Sequence, residues 1–211
     1  MKPEGRNSKQ GFSLIELVVV IAILLTIATI AVPQIQKINR NYKLHAAGHT
    51  VAGLIQQARL QAVKSNQPAY VQFDNTVSPN IAYITTTPGA AYAGGPDDVA
   101  VNGDVSFRTT SLPSGSQVTQ LYTYMGVPTS GPSATVVETG TVIGFNGRGL
   151  PCIGTVANPT VCIQKDGAQT PAFLWLMALS PNFNEWEAVT VTPAGRVKSW
   201  RLTNASTGNW Q

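Results

Sequence analysis

The sequence predicts an α+β fold in which one long N-terminal helix packs against β-sheets. An apolar run from Phe12 to Val32 leads into apolar residues spaced by three and four positions, up to Ala62. From Pro68 onward, short runs of alternating apolar and polar residues are separated by turn residues. Strands that follow one long helix, instead of alternating with helices, indicate an α+β domain whose sheets cover the apolar stripe of that helix.

The composition is that of one ordinary domain behind an N-terminal segment. The chain has 211 residues, and 11% of them are charged, against about 25% in a typical soluble domain. Lys2, Arg6 and Lys9 against Glu4 give the first eleven residues a charge of +2, so residues 12–211 carry the other +2 of the formal +4. The pI of 9.2 therefore does not by itself indicate nucleic-acid binding.

The apolar run from Phe12 to Val32 has the length of a membrane span. As a helix, its 21 residues would measure about 31 Å, close to the thickness of the hydrocarbon core. Lys2, Arg6 and Lys9 precede the run, so the positive-inside rule places the N-terminus in the cytoplasm. The residues after the span are then expected outside the cytoplasm.

Two ordinary interpretations of this segment compete. One is a secretory signal peptide, with Ala28-Thr29-Ile30-Ala31 as its cleavage site. The other is a plain signal anchor. A carboxylate within a bilayer is costly and indicates function, and Glu16 stands near the start of the apolar run. Neither interpretation accounts for Gly11-Phe12 and Glu16 together.

The stretch from Lys9 to Leu17, Lys-Gln-Gly-Phe-Ser-Leu-Ile-Glu-Leu, resembles the type III signal of type IV pilins and pseudopilins. In that family the prepilin peptidase, a membrane aspartyl peptidase, cuts after the glycine on the cytoplasmic side, and the new N-terminus is N-methylated. The resemblance implies cleavage between Gly11 and Phe12, methylation of Phe12 and retention of the apolar segment. It also implies a single-pass protein of the bacterial inner membrane with a periplasmic C-terminal domain, which joins other pilin or pseudopilin subunits in a filament.

The resemblance gives Glu16 a role in assembly, and this role has a physical basis. In lipid, the α-amino group of Phe12 and the carboxylate of Glu16 are both costly when alone. Pairing of Glu16 with the Phe12 amine of a neighbouring subunit removes both costs and sets the axial register between subunits. The alternative is that Glu16 reaches the headgroups and has no role.

We predict three parts in the chain, namely a leader peptide (1–11), a long helix (12–65, with 12–32 in the membrane) and a β-rich periplasmic domain (66–211). Pro33 is expected to kink or loosen the helix, and Asn66-Gln67-Pro68 is expected to end it. Residues 88–103, rich in Gly, Ala, Pro and Asp, are expected to form a loop.

Alternation and apolar runs predict the strands. They are expected at Ala69–Phe73, Ile81–Ile84, Val105–Arg108, Gln120–Tyr124, Thr135–Val137, Val142–Phe145 and Phe173–Leu179, followed by a hairpin of Ala188–Thr192 and Arg196–Leu202 around Pro193-Ala194-Gly195.

Three further stretches resemble the GspH/FimT branch of minor pilins and pseudopilins: Gln57–Val63 at the end of the helix, Phe145–Gly149, and Thr192–Val197. The resemblance implies a pilin-like fold with an antiparallel β-sandwich on the helix. It leaves two functions open. One is a subunit of the type II secretion pseudopilus, which helps to drive folded proteins outward. The alternative is a FimT-like minor pilin of a type IV pilus that binds DNA for uptake.

Cationic residues on the last strand are the candidate DNA contacts, namely Arg196, Lys198 and Arg201. Residues 196 and 198 are expected on one face. FimT-like proteins have Gly-Arg-x-Arg where this chain has Gly195-Arg196-Val197-Lys198, and lysine lacks the bidentate fork of arginine. Binding is therefore expected to be weak and salt-sensitive. The favoured alternative is an edge strand whose charges prevent pairing with other chains.

Cys152 and Cys162 are expected to form a disulfide in an exported domain. Closing so short a loop would stabilise the fold by roughly 2–3 kcal/mol. They lie in a stretch that looks like a loop, and no further Cys or His lies near enough in sequence to favour zinc.

His45 and His49 lie four residues apart on the predicted helix and could ligate a metal, but no carboxylate lies nearby in the sequence. We expect these histidines to face solvent or to contact the domain. Residues 144–149 are rich in glycine but lack the Lys-Ser/Thr of a phosphate loop. With no Ser/His/Asp set and no metal cluster, we expect no enzyme activity, no catalytic residue, no metal and no cofactor.

Overall fold

The computed structural model describes residues 12–74, 76–95, 98–101, 105–107, 113, 115–126, 135–136, 142–155, 158–163, 173–179, 185–202 and 208–211. The chain divides into two compact units, residues 1–40 and 41–211. The elements in chain order are α1 (Leu14–Ser65), β1 (Ala69–Asp74), β2 (Ile81–Thr85), β3 (Val99–Ala100), β4 (Val105–Phe107), α2 (Gly115–Met125), β5 (Thr135–Val136), β6 (Ile143–Phe145), β7 (Pro151–Thr155), β8 (Asn158–Ile163), β9 (Phe173–Leu179), β10 (Trp186–Val191) and β11 (Val197–Leu202). The predicted leader, with Gly11, lies outside the described residues.

Helix α1 begins in the first unit, two residues after Phe12, and continues through Pro33. The proline therefore does not end the helix. Within α1 a stretch near the N-terminus, with a mean hydropathy of 2.8, is long and apolar enough to cross a membrane.

The part of α1 in the second unit is amphipathic, as the sequence predicts. Its buried residues are Leu44, Ala47, Gly48, Val51, Ala52, Leu54, Ile55, Ala58 and Ala62. The helix ends at Ser65, and Asn66 follows with a φ of 52°, the left-handed conformation common after a helix C-terminus. The predicted end at residues 66–68 is thus confirmed.

Two sheets share one core with this half of α1. The first sheet has the strand order β3-β2-β1-β6-β7-β8, and the second has β11-β10-β9-β4. All pairs on these paths are antiparallel, while β5 joins β9 in parallel. The core contains Val51 and Ile55 of the helix, Val71 of the first sheet, and Met177 and Val189 of the second. The predicted α+β fold, one long helix packed on antiparallel sheets, is confirmed.

Helix α2 corrects one prediction, because Gln120–Tyr124 was expected to be a strand. Val118, Leu121, Tyr122 and Met125 recur at spacings of three and four, which is a helical period. These residues pack on the other face of the second sheet, in a second core with Leu174, Trp186 and Trp210. The tyrosines and threonines of this segment favour a strand locally, and burial of the helical face outweighs that preference.

The cysteine stretch forms a hairpin of β7 and β8 where a loop was expected. Cys152 and Cys162 form a disulfide, with 5.2 Å between their Cα atoms, as predicted. Cys152 is buried against Tyr70 and Val142. Part of the segment expected to be a loop, residues 88–103, also pairs with β2 as the two-residue strand β3.

Candidate functional site

Phe12 and Glu16 lie at the start of α1. Phe12 is 80% exposed, and Glu16 is in the first helical turn, where the unpaired N–H groups and the helix dipole favour a negative charge. The main-chain N–H of Leu17 donates to the Ser13 carbonyl at 3.2 Å. No Lys, Arg or His occurs between residues 12 and 36. Within that stretch, the chain itself supplies no basic side chain that could pair with Glu16.

The surface around Glu16 is apolar on all sides of the helix. Sixteen large apolar side chains are between 45% and 80% exposed, namely Phe12, Leu14, Ile15, Leu17, Val18, Val19, Val20, Ile21, Ile23, Leu24, Leu25, Ile27, Ile30, Val32, Ile35 and Ile38. A continuous apolar surface of this size marks a membrane or protein contact.

The candidate DNA residues do not converge. Arg196 precedes β11 and lines a groove of about 500 Å³ with Gln56, Arg59, Leu60, Val63 and Val197. Lys198 lies elsewhere, because its Nζ atom is 3.5 Å from the ring centroid of Trp200. Arg196 and Lys198 therefore do not share one face, since strand alternation starts only at Val197.

The Trp200 ring lies between Lys198 and helix α2. The Tyr124 ring stacks on Trp200 with centroids 4.7 Å apart, and Trp200 Nε1 donates to Thr190 Oγ1 at 2.8 Å. A cation over an indole is stabilised by the ring quadrupole. Lys198 is thus engaged within the domain.

Arg59 is the cation that the sequence analysis missed. Its Nε donates to the Gly149 carbonyl at 3.0 Å, which directs the guanidinium toward the turn before β11. Gly195 in that turn has a φ of 78°, and a Cβ there would lie 3.3 Å from Arg59 Cζ. No signal in the sequence joins Arg59 to Arg196, because only the fold brings both residues to one groove.

A second cluster surrounds Glu187 on β10. Glu187 is 1% exposed, and its Oε1 lies 3.3 Å from His45 Nδ1. The other ring nitrogen of His45, Nε2, lies 3.1 Å from His49 Nε2. Gly48 leaves room for the carboxylate, since a Cβ at this position would overlap the Glu187 side chain. The fold thus brings to His45 a carboxyl group that lies 142 residues away in sequence.

The electrostatics of this cluster favour a neutral hydrogen-bonded pair over an ion pair. Burial raises the pKa of Glu187 to about 8, although the charge of Arg201 opposes the change. Burial also lowers the pKa of His45, and the charges of His49 and Arg201 lower it further. Arg201 stands opposite Glu187 in the β10–β11 register. Glu187 Oε2 has no hydrogen-bond partner among the described residues.

Comparisons with known proteins match two parts of the chain to protein families. Residues 6–32 match the family model of the prokaryotic N-terminal methylation motif, and residues 47–195 match that of the type II transport protein GspH. Among solved structures, the Pseudomonas aeruginosa type IV minor pilin FimU is similar, at 13% identity over 81% of this chain and 96% of that chain, with a TM-score of 0.43. No curated protein matches the sequence.

Proposed function

Because the chain belongs to the family of the type II transport protein GspH, we propose that it is a minor subunit of a type II secretion pseudopilus. The family match covers residues 47–195, and the methylation motif covers 6–32. Together they make the chain a minor pilin or pseudopilin, which is a structural subunit. The pseudopilus is the finer assignment, and the family to which the chain belongs supports it.

The proposal includes processing and location. The prepilin peptidase cuts between Gly11 and Phe12, and the Phe12 amine is then methylated. The apolar half of α1 holds the protein in the inner membrane, with the N-terminus in the cytoplasm and the β-rich domain in the periplasm. The disulfide between Cys152 and Cys162 supports this topology, because disulfides persist in oxidising compartments such as the periplasm.

One observation carries the assembly step, namely a carboxylate in an exposed apolar helix with no basic side chain between residues 12 and 36. In a filament, Glu16 pairs with the methylated amine of Phe12 in a neighbouring subunit. Neighbouring helices then cover the apolar surface. The pair forms at one stagger, so it fixes the axial position of each new subunit.

A Glu16→Ala variant tests this step in cells. It is expected to insert into the membrane and to be cleaved as the wild type, while its amount in the sheared filament fraction falls at least tenfold. Ser13→Ala, one turn earlier on the same exposed segment, is the matched control and assembles normally. Glu16→Ala protein in filaments at the wild-type level would exclude the pairing.

Mass spectrometry of the mature protein tests the processing separately. We expect an N-terminus at Phe12 with one added methyl group. An N-terminus near Ala31 would instead identify an ordinary signal peptide.

A deletion strain tests which system the subunit serves. Loss of protein secretion across the outer membrane supports the pseudopilus, whereas loss of pili or of DNA uptake supports the type IV pilus.

The alternative is a FimT-like minor pilin that binds DNA, and the groove shared by Arg59 and Arg196 is the observation that favours it. Two guanidinium groups there can contact phosphates, which would give a slope of log affinity against log salt of roughly −1.8 on duplex DNA. Lys198 and Arg201 lie apart from this groove, so a contact along the whole strand is not expected.

A mobility-shift assay of the full chain in detergent at low salt tests DNA binding. If DNA occupies the groove, Arg59→Gln/Arg196→Ala abolishes the shift. Lys198→Ala is the matched control, because it removes a cation that lies on Trp200, and it leaves the shift unchanged. No shift with the wild type, or equal shifts with both variants, would exclude this site.

A further inference from the structure

We propose that His45 and His49 bind a divalent transition-metal ion through their Nε2 atoms, and that Glu187 is a positioning residue for His45. The inference is independent of which filament the subunit serves. It rests on the contacts of three side chains from α1 and β10 within the second unit.

The two histidines are placed to share an ion. Residues four apart lie on one face of a helix, the spacing that the His pair of a helical zinc motif also uses. Their Nε2 atoms are 3.1 Å apart. Two nitrogens bound to one ion at about 2.0–2.1 Å would be separated by about 2.9–3.4 Å for bond angles of 90–109°.

Only a small rearrangement separates the present geometry from a chelating one. The rings are at 80° to each other, with centroids 4.4 Å apart, and one ring nitrogen points toward the other. His49 is exposed, so rotation about its side-chain bonds can aim its lone pair at a shared ion without a change in the helix.

Glu187 supplies the outer contact that metal-binding histidines use. Such histidines donate their second ring N–H to a carboxylate or a carbonyl, which fixes the tautomer and the ring orientation. His45 Nδ1 lies 3.3 Å from Glu187 Oε1, and this contact leaves Nε2 for the ion.

Glu187 is a buried carboxyl group whose hydrogen bonds are incomplete among the described residues. Its side chain is 1% exposed, and Oε2 has no partner among the described residues. A buried carboxylate oxygen without a partner is costly. A cation bound at Nε2 of His45 would attract the Glu187 side chain from the far side of the ring, and Gly48 provides the space that this side chain needs.

The donor set indicates the class of ion. Two neutral imidazoles suit Cu²⁺, Ni²⁺ and Zn²⁺, and the order of intrinsic affinities places Cu²⁺ first. No group of three or more His, Cys, Asp or Glu converges within the described part of the chain. The ion would therefore keep exchangeable positions for water or for a ligand from another molecule, and the nearby charge of Arg201 would weaken its binding.

The test uses the full chain in detergent, without a histidine tag and freed of metal by dialysis against EDTA. Titration with ZnCl₂ in a calorimeter is expected to show one ion per chain. Electron paramagnetic resonance with one equivalent of CuCl₂ is expected to show hyperfine splitting from two imidazole nitrogens. His49→Ala loses the two-nitrogen signal and binds Zn²⁺ at least tenfold more weakly.

Two further variants make the outcome decisive. Thr50→Ala, beside His49 on the same exposed face, is the matched control and changes neither measurement. Glu187→Gln keeps two nitrogens on Cu²⁺ but weakens Zn²⁺ binding by about 10–100-fold, with the melting temperature of the metal-free protein not lowered. Equal Zn²⁺ binding by the wild type and His49→Ala would overturn the site, and equal binding by the wild type and Glu187→Gln would overturn the role of Glu187.

Discussion

The two halves of helix α1 differ in the burial of their apolar side chains. In residues 14–40, large apolar side chains point to every side of the helix and are at least 45% exposed. In residues 41–65, most apolar residues form one stripe that is buried against both sheets, while Tyr42, Leu60 and Val63 remain at least 50% exposed. A helix that is apolar all round belongs in a membrane or a protein core. The first half must therefore find its cover outside the chain, whereas the second half is part of the core of the domain.

The largest expected difference between the halves comes from truncating the same side chain, isoleucine, in each half. Ile55 is 0% exposed and Ile23 is 54% exposed. Ile55→Ala is expected to lower the free energy of unfolding by about 2–5 kcal/mol, through lost burial and a residual cavity. Ile23→Ala is expected to leave it unchanged.

Urea unfolding in detergent, followed by tryptophan fluorescence, measures both variants. All four tryptophans lie between residues 175 and 210, so the signal reports on the second unit alone. Equal losses from the two variants would show that the first half folds together with the domain, and the division at residue 40 would then be wrong.

The sequence predicts this division well because local patterns of apolar residues distinguish the two halves. An unbroken apolar run and a stripe at spacings of three and four need no knowledge of the fold. The hairpin of β10 and β11 is predicted for the same reason, since Pro193-Ala194-Gly195 stands between two alternating runs.

The elements that the sequence analysis misses depend on distant partners. Gln120–Tyr124 is helical because the second sheet offers an apolar face to Leu121 and Met125. The contacts of Arg59 with Gly149 and of His45 with Glu187 join residues 90 and 142 positions apart. The processing motif and the histidine pair could thus be found from the sequence, whereas the groove and the position of Glu187 beside His45 could not.

Two glycines in the second half differ in the space around them. A Cβ at Gly48 would overlap the buried Glu187 side chain, whereas a Cβ at Gly53 would meet nothing within 4 Å. Gly48→Ala is expected to cost about 1–3 kcal/mol through overpacking. Gly53→Ala is expected to add up to about 1 kcal/mol, because alanine favours the helix.

The same unfolding experiment measures these variants, with a double-mutant cycle as the control. Glu187→Ala removes the atoms that a Cβ at Gly48 would meet, so it should make Gly48→Ala nearly harmless. Equal effects of alanine at positions 48 and 53 would show that the carboxylate does not lie against the helix as described.

The second half alone is also expected to show a dependence of stability on pH. The pKa of Glu187 is raised from 4.5 to about 8 by burial, so the folded state keeps a proton that the unfolded state releases between these values. The free energy of unfolding should therefore fall as pH rises from 4.5 to about 8, by up to about 1.4 kcal/mol per pH unit. Glu187→Gln, which carries no proton to lose, should remove this fall.

The pH series is measured in EDTA, so that no bound metal contributes. His45 acts in the opposite direction, because its pKa is lowered from 6.5 in the folded state. Its contribution to the free energy of unfolding is therefore lost as pH falls below 6.5, in the wild type and the variant alike. Glu16→Gln makes the same chemical change in the first half and is expected to leave the pH profile of the domain unaltered. If the free energy of unfolding of Glu187→Gln still fell between pH 4.5 and about 8, another group facing α1 would carry the proton.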